Sequence, residues 1–154
     1  MKNPPIICLG VNHRTAPVEV RERLACSLEE LLAADSSFGE IVLLSTCNRL
    51  ELYACSPAGP DGMADAMTAL LCRATGVDEK ALTGHLYTSQ GWDAAAHLLR
   101  VATGLDSLVL GEPQILGQVT GAFMDATDAG SLGHCLNKLF RAAIRAGKRA
   151  RNET

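Results

Sequence analysis

The chain has 154 residues, 47% hydrophobic and 20% charged, enough for one good core and ordinary for a globular domain. Its 14 basic and 17 acidic side chains leave a net charge of −3, which excludes a global field drawing the protein to nucleic acid or membrane. No apolar run approaches the ~18–20 residues that span a bilayer. Only six apolar or glycine positions separate Pro5 from Asn12, too few for a secretory signal. The six cysteines contain no C-x2-4-C pair, so a finger or ribbon zinc site is not expected, nor any other metal site. A cytoplasmic protein with reduced thiols is the expectation.

In chain order, Ile6 to Val11 reads as a first strand and Asn12 to Pro17 as the polar loop after it, with His13 at the strand exit. A histidine there is more often a loop hydrogen-bonder than a catalyst. Val18 to Cys26 has helical spacing, and Ser27-Leu28-Glu29-Glu30 has the pattern of a capping box opening a helix through Ala34. Ile41 to Leu44 is an aliphatic strand, and Leu50 to Tyr53 alternates as a strand with one covered face does. The Pro/Gly loop 56–62 then leads into a helix through Thr75, with Met63, Met67, Leu70, Leu71 and Ala74 inward and Gly76 as C-cap. Val77 to Leu82 reads as a helical turn and His85 to Thr88 as a short strand.

This order predicts an α+β fold. A ferredoxin-like split βαβ subdomain, residues 1–90, has helices over one face of an antiparallel sheet. A helical subdomain, residues 91–154, follows, with helices over Trp92 to Thr103, Pro113 to Ala129 and His134 to Arg151. Pro113 suits the first turn of its helix. Residues 138–154 carry six basic and one acidic side chain against eight and sixteen before them. Lys138, Arg141, Arg145 and Lys148 align on one face of the last helix, where a solvated stripe is favoured over an RNA contact. No glycine or proline stop follows that helix before residue 154, which suggests a piece of something longer.

Between the two middle strands lies Ser45-Thr46-Cys47-Asn48-Arg49. In an extended backbone Cys47, Arg49 and Glu51 project to one side, and a cation two residues away favours the nucleophilic thiolate. The plainer role, a small buried hydrophobe, is the commoner fate of an unpaired cysteine. His97 sits among alanines and leucines and reads first as a satisfied core residue; a second possibility is a base or orienting partner for Cys47. Ser107, Glu112, Gln114 and Gln118 bring hydroxyl, carboxylate and amide groups to an apolar segment, as a small polar substrate requires. For Glu112, complementing the positive end of the helix opening at Pro113 is the plainer role. No G-x-G-x-x-G, Walker A or G-x-S-x-G motif is present, so a nucleotide cofactor has no recognisable seat.

Taken together, Gly10 to Pro17, Leu44 to Tyr53 and His97 to Val119 resemble the N-terminal catalytic domain of glutamyl-tRNA reductase, three blocks in that family's order. The resemblance implies that Cys47 attacks the glutamyl ester of glutamyl-tRNA(Glu). The thioester so formed is reduced by NADPH to glutamate 1-semialdehyde, the first step of the C5 route to tetrapyrroles. It carries substrate-binding roles to Thr46, Cys47, Asn48, Arg49, Ser107, Glu112, Pro113, Gln114 and Gln118, and catalytic roles to Cys47 and His97. Charge complementarity would set Arg49 on the substrate side-chain carboxylate and Glu112 or Glu51 on its ammonium. A complete member continues into an NADPH-binding domain and a dimerisation domain. From this follow no cofactor-binding residue in this chain, acyl transfer or ester hydrolysis without reduction, a homodimer only for the complete enzyme, and glutamate-1-semialdehyde aminomutase as a further partner. A cysteine-dependent esterase, or a non-catalytic RNA- or protein-binding module, are the alternatives.

Overall fold

The computed structural model describes residues 3–107 and 114–153. Four strands, β1 (Ile6–Asn12), β2 (Ile41–Ser45), β3 (Arg49–Cys55) and β4 (Tyr87–Gln90), form one sheet in the order β2-β3-β1-β4. Every pairing is antiparallel. This is the split βαβ order: β1 and β2 run the same way with β3 between them, and β4 closes the other edge. The α+β, ferredoxin-like expectation holds.

Helices α1 (Val18–Arg23), α2 (Leu28–Ala34) and α3 (Met63–Thr75) belong to the sheet-containing part of the chain, and α4 (Gly91–Ala102), α5 (Gln114–Ala129) and α6 (His134–Glu153) follow it. The capping box at α2 is present in both directions, Ser27 Oγ accepting from Glu30 N–H and the Glu30 carboxylate from Ser27 N–H. Gly76 ends α3 in the left-handed conformation, as a C-cap glycine should. Met67, Leu70 and Leu71 are fully buried, while Met63 and Ala74 pack partly buried at the margin of the core.

Three expectations need correction. The helix expected over Val18 to Cys26 stops at Arg23 and buries no residue; without an apolar stripe to dock, six residues of helix are all that form. The last strand is displaced from His85–Thr88 to Tyr87–Gln90. His85 instead closes a turn, its N–H on the Leu82 carbonyl and its Nδ1 on the Thr15 carbonyl. Finally, β3 was expected to have one covered face, and helices were expected on one side of the sheet. Every residue of β1 and β3 is buried, so the centre of the sheet is covered on both sides. Helices α4 and α6 meet the side bearing Glu51 and Tyr53, through His97 and Phe140.

Helices α4, α5 and α6 close on one another at Gly147, where a Cβ would lie 2.7 Å from both the Ala102 carbonyl oxygen and Leu116 Cδ1. Gly147→Ala is therefore expected to destabilise by about 1–2 kcal/mol, overpacking exceeding the gain in helix propensity. The denaturant midpoint would fall with the slope unchanged.

Candidate active site

The β2–β3 hairpin turns on two residues. Thr46 N–H donates to the Arg49 carbonyl at 2.8 Å, and Thr46 Oγ1 accepts from Asn48 N–H at 3.1 Å and Arg49 N–H at 3.2 Å. The threonine hydroxyl thus stands in for backbone acceptors that a tight reversal removes. His13 N–H donates to the Asn48 carbonyl at 2.9 Å, tying the tip to the loop after β1. Cys47 is held at the apex and is exposed; it is not the buried hydrophobe that its residue type suggests. Nor does it share a continuous extended backbone with Arg49, because the chain reverses between them.

Thr46, Cys47, Asn48 and Arg49 meet Ser107, Gln114 and Gln118 around one small cavity open to solvent. The hairpin supplies one wall, and the loop after α4 with the first turns of α5 supplies the other. Ile115 also lines it, an apolar contributor missed in the sequence although it sits between the two glutamines on the opening of α5. Glu112 and Pro113 lie outside the described residues.

Behind the cavity, β3 carries Arg49, Glu51 and Tyr53 on one side. Arg49 Nη1 bonds Glu51 Oε2 at 3.2 Å, and its Nη2 bonds the Asp106 carbonyl at 2.6 Å and lies 3.1 Å from Asp106 Oδ2 as an ion pair. Glu51 is completely buried and also accepts from Tyr53 at 2.8 Å, from Tyr87 and from the His97 ring. Gly10 lies across β1 from Glu51, and a Cβ there would come within 2.8 Å of Glu51 Cγ. Glycine leaves the space in which the carboxylate crosses toward α4. Burial pushes the Glu51 pKa up, but the His97 hydrogen bond and charge, Arg49 and the Tyr87 hydroxyl outweigh it, and the net shift is downward. The same anion, after burial, raises the Cys8 thiol and the Tyr87 hydroxyl.

These contacts correct two assignments. Glu51 is sealed under four partners and is not available for a substrate ammonium. His97, on α4, does not line the Cys47 cavity; it stands on Glu51 with its ring edge-on to Tyr87, linked to the cavity through Glu51 and Arg49. Asp106 was not anticipated. It also takes Arg14 Nη1 on Oδ1 at 3.2 Å, so one acid joins the loop before Ser107 to both the loop after β1 and the start of β3. Cys8, Glu51 and His97 place ligand-type atoms within 4.8 Å of one another. With Arg49 beside them and both Glu51 oxygens engaged, this trio is a hydrogen-bond hub and a poor cation seat.

Lys138, Arg141, Arg145 and Lys148 are exposed along α6 and do not line the cavity. Arg141 lies over the Phe123 ring at 5.5 Å and bonds Asn137, in keeping with a solvated face. No helix among the described residues is long and apolar enough to cross a membrane.

A family model described as "Glutamyl-tRNAGlu reductase, N-terminal domain" matches residues 9–154. The chain belongs to the glutamyl-tRNA reductase family. The glutamyl-tRNA reductase of Synechococcus sp. (strain JA-3-3Ab) is 46% identical over 97% of this chain and 36% of that protein. That of Pseudoalteromonas translucida is 44% identical over the same shares. The solved structure of glutamyl-tRNA reductase from Methanopyrus kandleri superimposes with a TM-score of 0.80 at 35% identity, covering 98% of this chain and 35% of that one. The chain thus spans about a third of the length of these family members.

Proposed function

We propose that this chain is the acyl-accepting part of a glutamyl-tRNA reductase and that Cys47 takes the glutamyl group from glutamyl-tRNA(Glu). The observation that carries this reading is the convergence of Thr46, Cys47, Asn48, Arg49, Ser107, Gln114 and Gln118 on one cavity into which an exposed thiol opens. The Cys47 thiolate adds to the ester carbonyl, the carbon–oxygen bond to the terminal ribose breaks, and the ribose oxygen leaves with a proton as free tRNA. The thioester that remains accepts hydride more readily than an oxygen ester. Ser107, Gln114 and Gln118 offer uncharged hydrogen bonds to orient the amino acid. His97 acts as a positioning residue, holding Glu51 and through it Arg49.

Arg49 grips the substrate side-chain carboxylate, and to do so exchanges its Asp106 contact, since its other guanidinium nitrogen is committed to Glu51. Lysine cannot hold Glu51 and a second carboxylate with a planar fork. Arg49→Lys is therefore expected to raise KM for glutamyl-tRNA about 10–100-fold, the worth of one charge-assisted contact. An unchanged KM would remove Arg49 from that role.

On this reading NADPH supplies the hydride that yields glutamate 1-semialdehyde for tetrapyrrole synthesis. The described residues do not fit that cofactor: the sheet is antiparallel throughout and offers no parallel βαβ crossover with a glycine-rich turn for a dinucleotide. Reduction, homodimerisation and delivery to an aminomutase are assigned to the remainder of a complete enzyme, working in the reducing cytoplasm where six free cysteines persist.

The test is to mix the 154-residue chain with glutamyl-tRNA(Glu) and follow free tRNA and semialdehyde. Release of tRNA without NADPH-dependent semialdehyde is expected. Semialdehyde made by this chain alone would overturn the division of labour, and equal turnover of simple esters would favour a general esterase.

A further inference from the structure

Two other thiols are brought together at the opposite end of β3. In the β2–β3 register Ile41 lies across from Ala54, which sets Glu40 across from Cys55. The Glu40 carboxylate reaches α6, where Oε1 accepts the Leu136 N–H at 2.9 Å. It packs over Gly133 so closely that a Cβ there would lie 2.3 Å from Glu40 Cδ. One turn along α6, Phe140 stands edge-on to Tyr53 with centroids 5.4 Å apart, and Tyr53 and Cys55 project from the same side of β3. Helix α6 is thereby fixed along that side of the strand at two points. Cys135, next to Leu136, comes against the Cys55 thiol, and Glu40 also stands beside Cys55.

We propose that Cys55 and Cys135 form a dithiol site that closes reversibly to a disulfide with a small disulfide oxidant such as oxidised glutathione, clamping the end of β3 to the first turn of α6. Both thiols are free, and their exposures set the order of events. Cys135, half-buried, is the sulfur an oxidant can reach; Cys55 is 5% exposed. The Cys135 thiolate attacks one sulfur of oxidised glutathione and releases one reduced glutathione. Cys55 then gives up its proton and attacks the Cys135 sulfur of the mixed disulfide, releasing the second. Two protein thiols are oxidised and one glutathione disulfide is reduced to two thiols. Burial, Cys135 and Glu40 raise the Cys55 pKa, so Cys55 stays protonated until its partner is activated and acts as the resolving thiol. The pair closes a loop of about 80 residues, long enough for cross-linking to restrict the unfolded chain substantially.

The experiment uses the chain carrying Cys47→Ser, which removes the exposed competing thiol. It is equilibrated at graded ratios of reduced to oxidised glutathione, quenched in acid, alkylated and digested. The expected result is a linked Cys55–Cys135 peptide, loss of alkylation at those two positions, reversal by dithiothreitol, and a rise in Tm of about 5–15 °C on closure. Adding Cys135→Ser should abolish both the linkage and the Tm rise. Glutathione persisting on Cys135 with Cys55 still alkylated, linkage only between separate molecules, or an equal Tm rise without Cys135 would each overturn the proposal.

Discussion

Glu51→Gln is expected to cost about 3–5 kcal/mol of folding stability, the usual loss when one partner of a buried ion pair is removed. Arg49 is 2% exposed and Glu51 not exposed at all, so water cannot replace the missing charge. The amide can still accept from one tyrosine, but its NH2 group faces donors: Arg49, Tyr87 and His97 all point at the other oxygen. At least one buried donor is left without an acceptor. Because the folded-state pKa of Glu51 lies below its ordinary value, its ionisation contributes stability that is fully present above the unfolded-state value, about 4.3. That contribution is lost as pH falls through the lowered folded value. Urea denaturation of both proteins from pH 7 down to pH 3 checks this. The gap between them should be widest near neutrality and should narrow below about pH 4. A gap that stays constant with pH would mean that the variant fails through packing alone.

Cys47→Ser is expected to reduce glutamyl-tRNA discharge by about 1,000-fold or more while leaving the denaturation midpoint within about 0.5 kcal/mol of the parent. Both halves follow from position. The side chain sits at an exposed hairpin apex, and the turn is made by Thr46 and backbone groups, so the fold does not depend on the sulfur. A serine hydroxyl in the same place remains protonated at neutral pH and is a far weaker nucleophile without an adjacent base. No base lines the cavity among the described residues. Discharge measured by acid-gel separation of charged and free tRNA reads the first half, and urea titration the second. Retention of discharge in the serine variant would transfer the chemistry to another group.

Legibility followed the range of the interactions. The strands at Ile6 and Ile41, the capping box at Ser27 and the C-cap at Gly76 are specified by near neighbours, and all four are found within a residue or two of their expected places. The β4 displacement came from Thr15, seventy residues from His85 in sequence, which no local pattern encodes. The cavity residues fall in two short segments, Thr46–Arg49 and Ser107–Gln118, whose polar chemistry stands out locally, but their substrate roles came from the family resemblance and not from that chemistry. What escaped was the layer behind them. Glu51 reads as the polar position of an alternating strand, and only the crossing of Gly10, Tyr87 and His97 over it reveals a buried hub. The Arg49–Asp106 contact was hidden likewise, since its partners are 57 positions apart.

The most direct test of the central claim is to trap the acyl group itself. The chain is mixed with glutamyl-tRNA(Glu) charged with labelled glutamate, quenched in acid within the first turnover, digested and mapped by mass spectrometry. A hydroxylamine-labile glutamyl adduct is expected on the peptide containing Cys47, absent from Cys47→Ser. The adduct on any other cysteine, or tRNA discharge with no protein adduct at any time point, would contradict that claim.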